Sequence, residues 1–257
     1  MKNFVISLKS ATDRRDHINN EFDKHNVNFE FFDALTPNSA KNYAKSLNLN
    51  IDDSGLTPGE LACMMSHIAI WKKAIDDNVD YVTIFEDDIY LGEDAEGLLN
   101  SSEWIQPDWN IIKIEAFSKK VLLSATRYEV LSNKRQISEL KGKNLGAAGY
   151  IISIEGAKIF LDYILTHKLQ PLDEIIFDIF INRKAEAVYQ MIPALCVQEM
   201  ILKERQNVFS LPSSLEPDRR NRMRLDKKRG LSKVKKEVNR LILKTKEYLF
   251  AKEVIFK

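Results

Sequence analysis

The chain has 257 residues, of which 44% are hydrophobic and 29% are charged, with only 9 Gly and 7 Pro. This balance supplies enough apolar material for a sizeable core and excludes disordered, collagen-like and low-complexity classes of protein. Two cysteines, Cys63 and Cys196, cannot form a disulfide framework, and no Cys/His spacing typical of zinc is evident. No apolar run approaches the roughly 18 residues of a membrane span. We therefore expect a soluble protein of a reducing compartment.

Charge is distributed unevenly along the chain, although the formal net charge is only +1. Residues 219–257 contain 15 Lys and Arg against 4 Asp and Glu, whereas residues 1–218 contain 23 basic and 33 acidic residues. An acidic body with a basic tail indicates what a protein binds more than how it folds. We therefore predict a body, 1–217, and a basic helical extension, 218–257.

The first part of the chain predicts alternating strands and helices. An apolar run at 3–8 predicts a buried strand, and a helix follows to about residue 25, with Thr12 or Asp13 as its N-cap. Residues 27–32 predict a second strand. The polar segment 38–53 has a weak helical pattern and leads to the next element.

A capping box marks the start of the following helix. Thr57 is the expected N-cap, Pro58 lies in the first turn, and Glu60 stands three residues after Thr57. The helix, 60–78, carries apolar residues at helical spacing, and a strongly apolar strand, 80–85, follows it.

The remaining elements complete an α/β pattern. Strands are predicted at 110–114, 145–153 and 188–193, and helices at 155–165 and 174–182. Residues 230–251 predict one long amphipathic helix. Strands alternating with helices favour a mostly parallel sheet of the nucleotide-binding kind.

Three consecutive carboxylates, Glu86, Asp87 and Asp88, directly follow the apolar strand. Open α/β sheets bind ligands beyond the carboxyl ends of their strands. Strand alternation projects Glu86 and Asp88 to one side and Asp87 to the other. Two oxygen ligands together with nucleotide phosphates suit magnesium or manganese. The alternative is a solvated acidic turn.

Five other residues, in three segments of the chain, could contribute to a site. Ser66 and His67 interrupt a mostly apolar helix, where a buried structural histidine is the alternative to a ligand. Asp173 follows a proline in a loop, where its carboxylate either acts as a general base or caps the next helix. Arg14 and Arg15 follow the first strand, where a guanidinium can meet a diphosphate or simply face solvent.

Taken in order, these segments resemble glycosyltransferase family 25, the bacterial lipooligosaccharide glycosyltransferases related to the collagen galactosyltransferases. The matching segments are the first strand with Arg14 and Arg15, the helix segment 59–67, the Glu86 to Asp88 run, 146–153 and 171–173. The resemblance covers roughly 1–198, and the tail beyond 217 lies outside it.

The resemblance implies a GT-A type fold with a Rossmann-like, mostly parallel central sheet. It also implies a UDP-sugar donor, UDP-galactose or UDP-glucose, with manganese or magnesium at an acidic motif of the DxD kind. Transfer to a saccharide acceptor is expected to invert the anomeric centre, as in a UDP-hexose β-glycosyltransferase.

The same resemblance assigns roles to residues of this sequence. Glu86 and Asp88 are the expected metal ligands. Asp173 is the expected general base, with Glu174 and Glu60 as rivals. The expected donor-binding residues are Ser7, Arg14, Asp33, Ser66, His67 and Asp87.

The basic extension predicts attachment to an anionic membrane surface, which places the protein in the cytoplasm, peripheral on the inner face of the bacterial inner membrane. The alternative is a helix that packs on the body or on a second subunit. Nucleic-acid binding is disfavoured because the extension has few aromatics for stacking and the body is acidic. A metal-dependent phosphohydrolase and a non-catalytic sugar-nucleotide binding module remain as other functions.

Overall fold

The computed structural model describes residues 1–132, 134–184, 186–205 and 251–257. The strands are β1 (Lys2–Ser7), β2 (Glu30–Asp33), β3 (Tyr81–Glu86), β4 (Ile89–Leu91), β5 (Ile111–Lys113), β6 (Lys120–Leu122), β7 (Tyr128–Val130), β8 (Arg135–Glu139), β9 (Gly149–Ser153), β10 (Val188–Ile192), β11 (Cys196–Gln198) and β12 (Ala251–Glu253). The helices are α1 (Thr12–Lys24), α2 (Pro37–Ser46), α3 (Pro58–Asp76), α4 (Ala95–Leu99), α5 (Ile154–Thr166), α6 (Leu172–Glu174), α7 (Phe180–Arg183) and α8 (Glu199–Arg205), with a π-helical segment, Ile175–Ile179, between α6 and α7. In these described ranges no helix combines the length and hydropathy needed to cross a membrane.

Eight of the strands form one sheet in the order β2-β1-β3-β9-β5-β10-β8-β7. The pairs β1–β2, β1–β3 and β5–β10 are parallel, and the other four pairs are antiparallel. The α/β class is confirmed, but the sheet is mixed rather than mostly parallel. Two strands account for the antiparallel pairs. Strand β9 enters the sheet at the carboxyl end of β3, where Glu86 N donates to Ala148 O, and runs antiparallel to β3 and β5. Strand β8 runs antiparallel to β10 and β7.

Helices cover both faces of the sheet, and alternation along β1 shows the division. Phe4 and Ile6 join the hydrophobic cluster that includes α3 and α5 residues, whereas Val5 joins the cluster that includes α1 and α4 residues. The strand is buried continuously from Asn3 to Ser7 while its side chains alternate between the two clusters, as a strand covered on both faces requires. The site at the strand ends therefore stands on a rigid, two-sided core.

Helix α3 begins as its sequence predicts. Thr57 Oγ1 accepts from Glu60 N at 3.2 Å, and Glu60 Oε2 accepts from Thr57 N at 3.0 Å, so the capping box is complete. One face of the helix packs against the sheet through Met64, Ile68 and Trp71, which are buried. This packing fixes the position of the polar residues on the same helix.

Several boundaries differ from the sequence prediction. The N-cap of α1 is Ala11, with no side-chain cap, rather than Thr12 or Asp13. Strand β2 begins at Glu30 rather than at 27, because Val27 is buried in the turn that ends α1. The short strands β4, β6, β7, β8 and β11 and the short helix α4 were not predicted.

Most of the predicted basic extension, 218–250, lies outside the described residues. Nearly all of the helix predicted at 230–251 falls in this part. Residues 251–257 are described, and the first three form a strand rather than a helix: β12, Ala251–Glu253, pairs antiparallel with β6. Val254 is buried, and Lys257 N donates to Ala194 O. The last residues therefore belong to the body.

Candidate functional site

The carboxyl ends of three parallel strands meet at one edge of the sheet. Ser7 at the end of β1 is in register with Asp33 at the end of β2, and Ile6 is in register with Glu86 at the end of β3. Such an edge is where open α/β sheets bind ligands. The fold therefore brings together three residues that are far apart in the sequence.

The acidic run forms the turn between β3 and β4, and its side chains diverge as strand alternation predicts. Gln198 Nε2 donates to Glu86 Oε2 at 3.3 Å and to Asp88 Oδ1 at 3.3 Å, so these two carboxylates share one amide. Asp87 points away from them and accepts from Arg14 Nη1 at 2.6 Å. Glu86 and Asp88 thus face the same space, and Asp87 does not.

Burial makes this pair of carboxylates costly to ionise. It raises the pKa of Glu86 to about 8, and the negative charges of Asp88, Glu115, Asp87 and Asp173 add to the effect. Burial also raises the pKa of Asp88, against the hydrogen bond from Gln198. Among the described residues, no Lys or Arg forms an ion pair with Glu86 or Asp88. Two buried carboxyl groups that lack an ion-pair partner fit a hard divalent cation such as magnesium or manganese, which would favour their ionised forms.

The two arginines of α1 divide between two carboxylates. Arg15 Nη2 donates to Asp33 Oδ1 at 2.5 Å and to the Ser7 carbonyl at 3.0 Å, so Arg15 holds the ends of β1 and β2 together. Arg14 instead pairs with Asp87, and its side chain remains 50% exposed. Of the two, Arg14 is the guanidinium that a bound anion could reach beside the acidic turn.

The two polar residues of α3 are both completely buried. Ser66 Oγ donates to Ala62 O at 2.8 Å and accepts from Leu35 N at 2.9 Å, which ties α3 to the chain that follows β2. His67 Nδ1 lies 2.9 Å from Tyr150 Oη. Burial lowers the pKa of His67 to about 3, so its ring is neutral. Both hydrogen bonds of Ser66 are to backbone groups, whereas His67 lies beside Glu86.

Asp173, the expected base, is buried at the start of α6 and is held by two backbone donors. Its Oδ1 accepts from Glu174 N at 3.0 Å, and its Oδ2 accepts from Gly146 N at 3.3 Å. Its charge acts to raise the pKa values of both His67 and Glu86, so it lies within electrostatic reach of the cluster. The rival Glu60 is engaged in the capping box.

A buried ion pair supports the loop that holds Asp173. Lys113 Nζ lies 2.7 Å from Glu115 Oε2, both side chains are completely buried, and Lys113 also donates to Gly146 O. Gly146 has φ of 88°, and a Cβ there would stand 2.9 Å from the Glu115 carboxylate. Only glycine therefore lets the loop approach this pair.

Sequence reasoning missed Lys113, Glu115 and Gln198. The first two had a signal, because two charged residues in the apolar stretch 111–116 are unexpected in a buried strand unless they pair. Gln198 had none, since it reaches the cluster only because β11 pairs with β4 and sets Gln198 opposite Ile89.

A cavity of about 420 Å³ opens beside the same loop. Phe117 and Leu145 form part of its wall, and Phe117 also lies against Gly146, whose N–H binds Asp173. The cavity is lined by Phe117, Ser118, Lys120, Val121, Leu122, Gly142, Lys143 and Leu145. It is of a size that accommodates a small ligand.

One solved structure, a glycosyltransferase involved in the glycosylation of the major capsid of PBCV-1, aligns over 63% of this chain and 64% of its own, at 8% identity. Its TM-score is 0.31, too low to support an argument about the fold.

Curated relatives match over most of their length. The lipooligosaccharide biosynthesis proteins lex-1 and lic2B of Haemophilus influenzae are 35% and 37% identical, over 90% of this chain and 86% and 88% of their own. The lacto-N-neotetraose biosynthesis glycosyltransferase LgtB of Neisseria meningitidis serogroup B is 37% identical over 85% of this chain and 83% of its own. The family model described as glycosyltransferase family 25 (LPS biosynthesis protein) matches residues 1–176. With most of its length matched by that model, this chain is a glycosyltransferase and belongs to glycosyltransferase family 25.

Proposed function

We propose that this protein transfers a hexose, galactose or glucose, from a UDP-sugar to a saccharide acceptor in lipooligosaccharide or lipopolysaccharide biosynthesis, with inversion and with a divalent cation. The observation that carries the proposal is the pair of Glu86 and Asp88 carboxylates, which share one amide donor at the carboxyl edge of the sheet. The names of the lex-1, lic2B and LgtB relatives support the biosynthetic assignment.

The donor side of the site is built from the strand ends. Glu86 and Asp88 would hold manganese or magnesium, which when bound stabilises the negative charge of the diphosphate leaving group. Arg14, half exposed beside Asp87, would bind a phosphate oxygen. Ser7 and Asp33, at the ends of β1 and β2, would line the nucleotide pocket.

The acceptor side is built around Asp173. In the proposed step, Asp173 takes the proton of the acceptor hydroxyl while that oxygen bonds to the anomeric carbon. The bond from that carbon to the phosphate oxygen breaks on the opposite face, and its electron pair leaves with UDP. The two backbone N–H groups that bind Asp173 fix the carboxylate in one orientation.

The cavity beside Gly146 is the proposed acceptor subsite. Its aromatic wall, Phe117, offers an apolar face to a sugar ring, and its rim carries Lys120 and Lys143. Asp173 does not line the cavity but is close to it, because Phe117 lies against Gly146 and Gly146 N donates to Asp173. The basic extension remains a proposed membrane contact.

The direct test is UDP release from a panel of UDP-sugars, with and without manganese and with and without a truncated oligosaccharide acceptor. We expect release that requires one UDP-sugar and the cation and that rises with the acceptor. Phosphate release without any acceptor would indicate a phosphohydrolase. Donor binding without turnover on any acceptor would indicate a binding module.

The base assignment is tested by Asp173→Asn. Loss of the proton acceptor should lower turnover by about 10²–10⁴-fold, while the affinity for the donor is retained. The matched control is Asp162→Asn, an exposed carboxylate on α5 that should leave turnover unchanged. A collapse of donor affinity in Asp173→Asn would show that Asp173 acts on the donor instead.

A further inference from the structure

A second group of potential ligands lies on the other side of Glu86. The ligand atoms of Cys63, His67 and Glu86 all lie within 4.8 Å of one another, and Cys63 Sγ lies 3.9 Å from Glu86 Oε1. Cys63 and His67 are one turn apart on α3, so both project from the same face of that helix. The spacing of Cys63 and His67 alone does not indicate a metal site, because the third ligand, Glu86, comes from β3.

The ring of His67 is oriented as a metal-binding imidazole would be. Its Nδ1 contacts Tyr150 Oη, which also accepts from Trp71 Nε1 at 3.0 Å. Metal binding requires the tautomer in which Nδ1 carries the proton and donates to Tyr150 Oη, since this leaves the lone pair on His67 Nε2. In the described part of the chain, His67 Nε2 is completely buried and has no hydrogen-bond partner. A hydrogen bond to the other ring nitrogen is the usual support of a metal-ligating histidine.

We propose that Cys63, His67 and Glu86 form a binding site for a borderline divalent cation of the zinc type. Thiolate, imidazole and carboxylate together favour zinc, whereas the all-oxygen pair of Glu86 and Asp88 favours magnesium or manganese. Zinc ligands at about 2.0–2.3 Å from the metal lie roughly 3.5 Å apart, so the three side chains must close by about 1 Å. Partly exposed Cys63 provides the route of entry.

The site shares Glu86 with the proposed donor site. Oε1 of Glu86 faces Cys63, and Oε2 faces Gln198 and so the side of Asp88. A zinc ion bound by Cys63 and His67 draws this carboxylate away from Asp88. Zinc therefore inhibits transfer by competing for Glu86, a consequence that rests on the proposed function, whereas binding itself does not.

Binding is tested by titrating the chelator-treated full chain with cobalt(II). We expect a thiolate-to-cobalt charge-transfer band that zinc abolishes stoichiometrically. Cys63→Ser should remove the band and lower zinc affinity by at least about 100-fold. The matched control is Cys196→Ala, the other cysteine, which is buried against Gly149 and should leave the band in place. Absence of the band in the wild type, or its persistence in Cys63→Ser, would overturn the proposal.

Competition is tested in the UDP-release assay at a fixed manganese concentration. Zinc should inhibit the wild type and Cys196→Ala at lower concentrations than it inhibits Cys63→Ser. Equal inhibition of all three proteins would overturn the competition. Because the cobalt spectrum needs no turnover, failure of the proposed transferase activity is distinguishable from failure of the zinc site.

Discussion

Two groups of buried carboxylates lie close together in this molecule, and they are compensated in opposite ways. Glu115 is paired with Lys113 and also accepts from Ala148 N at 3.2 Å. Glu86 and Asp88 share only the neutral amide of Gln198, and no Lys or Arg among the described residues forms an ion pair with them. Only the first group contains its own opposite charge, although Glu115 Oε1 has no hydrogen-bond partner among the described residues.

The difference separates a structural charge from a functional one. A buried charge is retained at low cost only when an opposite charge and hydrogen bonds surround it. Lys113 supplies the opposite charge, and Lys113 and Ala148 N both donate to Glu115 Oε2. Lys113 also supports Gly146 and the loop that holds Asp173. In the Glu86–Asp88 pair, Arg14 acts on both carboxylates only from a distance, and Glu86 keeps a proton in the absence of a cation. We expect substitutions in the two groups to have opposite signatures.

The largest effect is expected from Asp88→Asn. Removing one of two cation ligands should lower cation-dependent turnover by about 10³-fold or more, because a bound cation contributes several kcal/mol to stabilising the transition state. The thermal stability of the cation-free protein should not fall, since the substitution removes a carboxyl group that burial makes costly to ionise. Turnover and thermal unfolding of Asp88→Asn, with Asp162→Asn as control, measure both. Retained turnover would remove Asp88 from the site.

The opposite signature is expected from Lys113→Met. Removing the cation leaves Glu115 buried and uncompensated, which should lower the free energy of unfolding by about 3 kcal/mol, near the lower end for broken buried pairs. The cost stays at that end because burial already raises the pKa of Glu115, which can take up a proton. Denaturant unfolding measures the loss.

A double variant separates the effect of the unpaired charge from the effect of lost packing at Lys113. In Lys113→Met combined with Glu115→Gln, no unpaired charge remains, so most of the lost stability should return. If the double variant is as unstable as Lys113→Met, the loss comes from packing around Phe177, whose ring centroid lies 4.3 Å from Lys113 Nζ.

Local signals in the sequence predicted the elements that depend on local interactions. The capping box of Thr57 and Glu60 placed the start of α3 correctly, and the apolar run before Glu86 placed β3. The direction of β9 was missed because it depends on where a distant loop enters the sheet. The short strand β12 was missed because its pairing with β6 spans more than 120 residues of sequence.

In the site, too, features that depend on local sequence were predicted and features that depend on distant elements were not. The separation of Asp87 from Glu86 and Asp88 follows from strand alternation alone, and the structure confirms it. The sequence assigned no site role to Cys63, yet it lies partly exposed beside Glu86. Its neighbour across the site comes from another element, so spacing along the chain carried no signal.

The smallest effect concerns the pH dependence of stability in the cation-free protein. The pKa of Glu86 rises from 4.5 to about 8 on folding, so the folded state retains a proton that the unfolded state releases. The free energy of unfolding should therefore fall as the pH rises from about 4.5 to 8 and level off above 8. Because part of Glu86 still reaches solvent, we expect a fall on the order of 1–2 kcal/mol.

Substitution isolates the contribution of Glu86 to that slope. Asp33 and Asp77 have pKa values below 3.8, so the stability that they contribute is lost only at lower pH and lies outside this window. Asp88 and Glu115, whose pKa values are also raised, contribute a slope of the same sign. Glu86→Gln, measured by denaturant unfolding in the presence of chelator, should therefore flatten the slope without abolishing it. An unchanged slope would mean that Glu86 is ionised without a cation, and the contrast with the Lys113–Glu115 pair would then be lost.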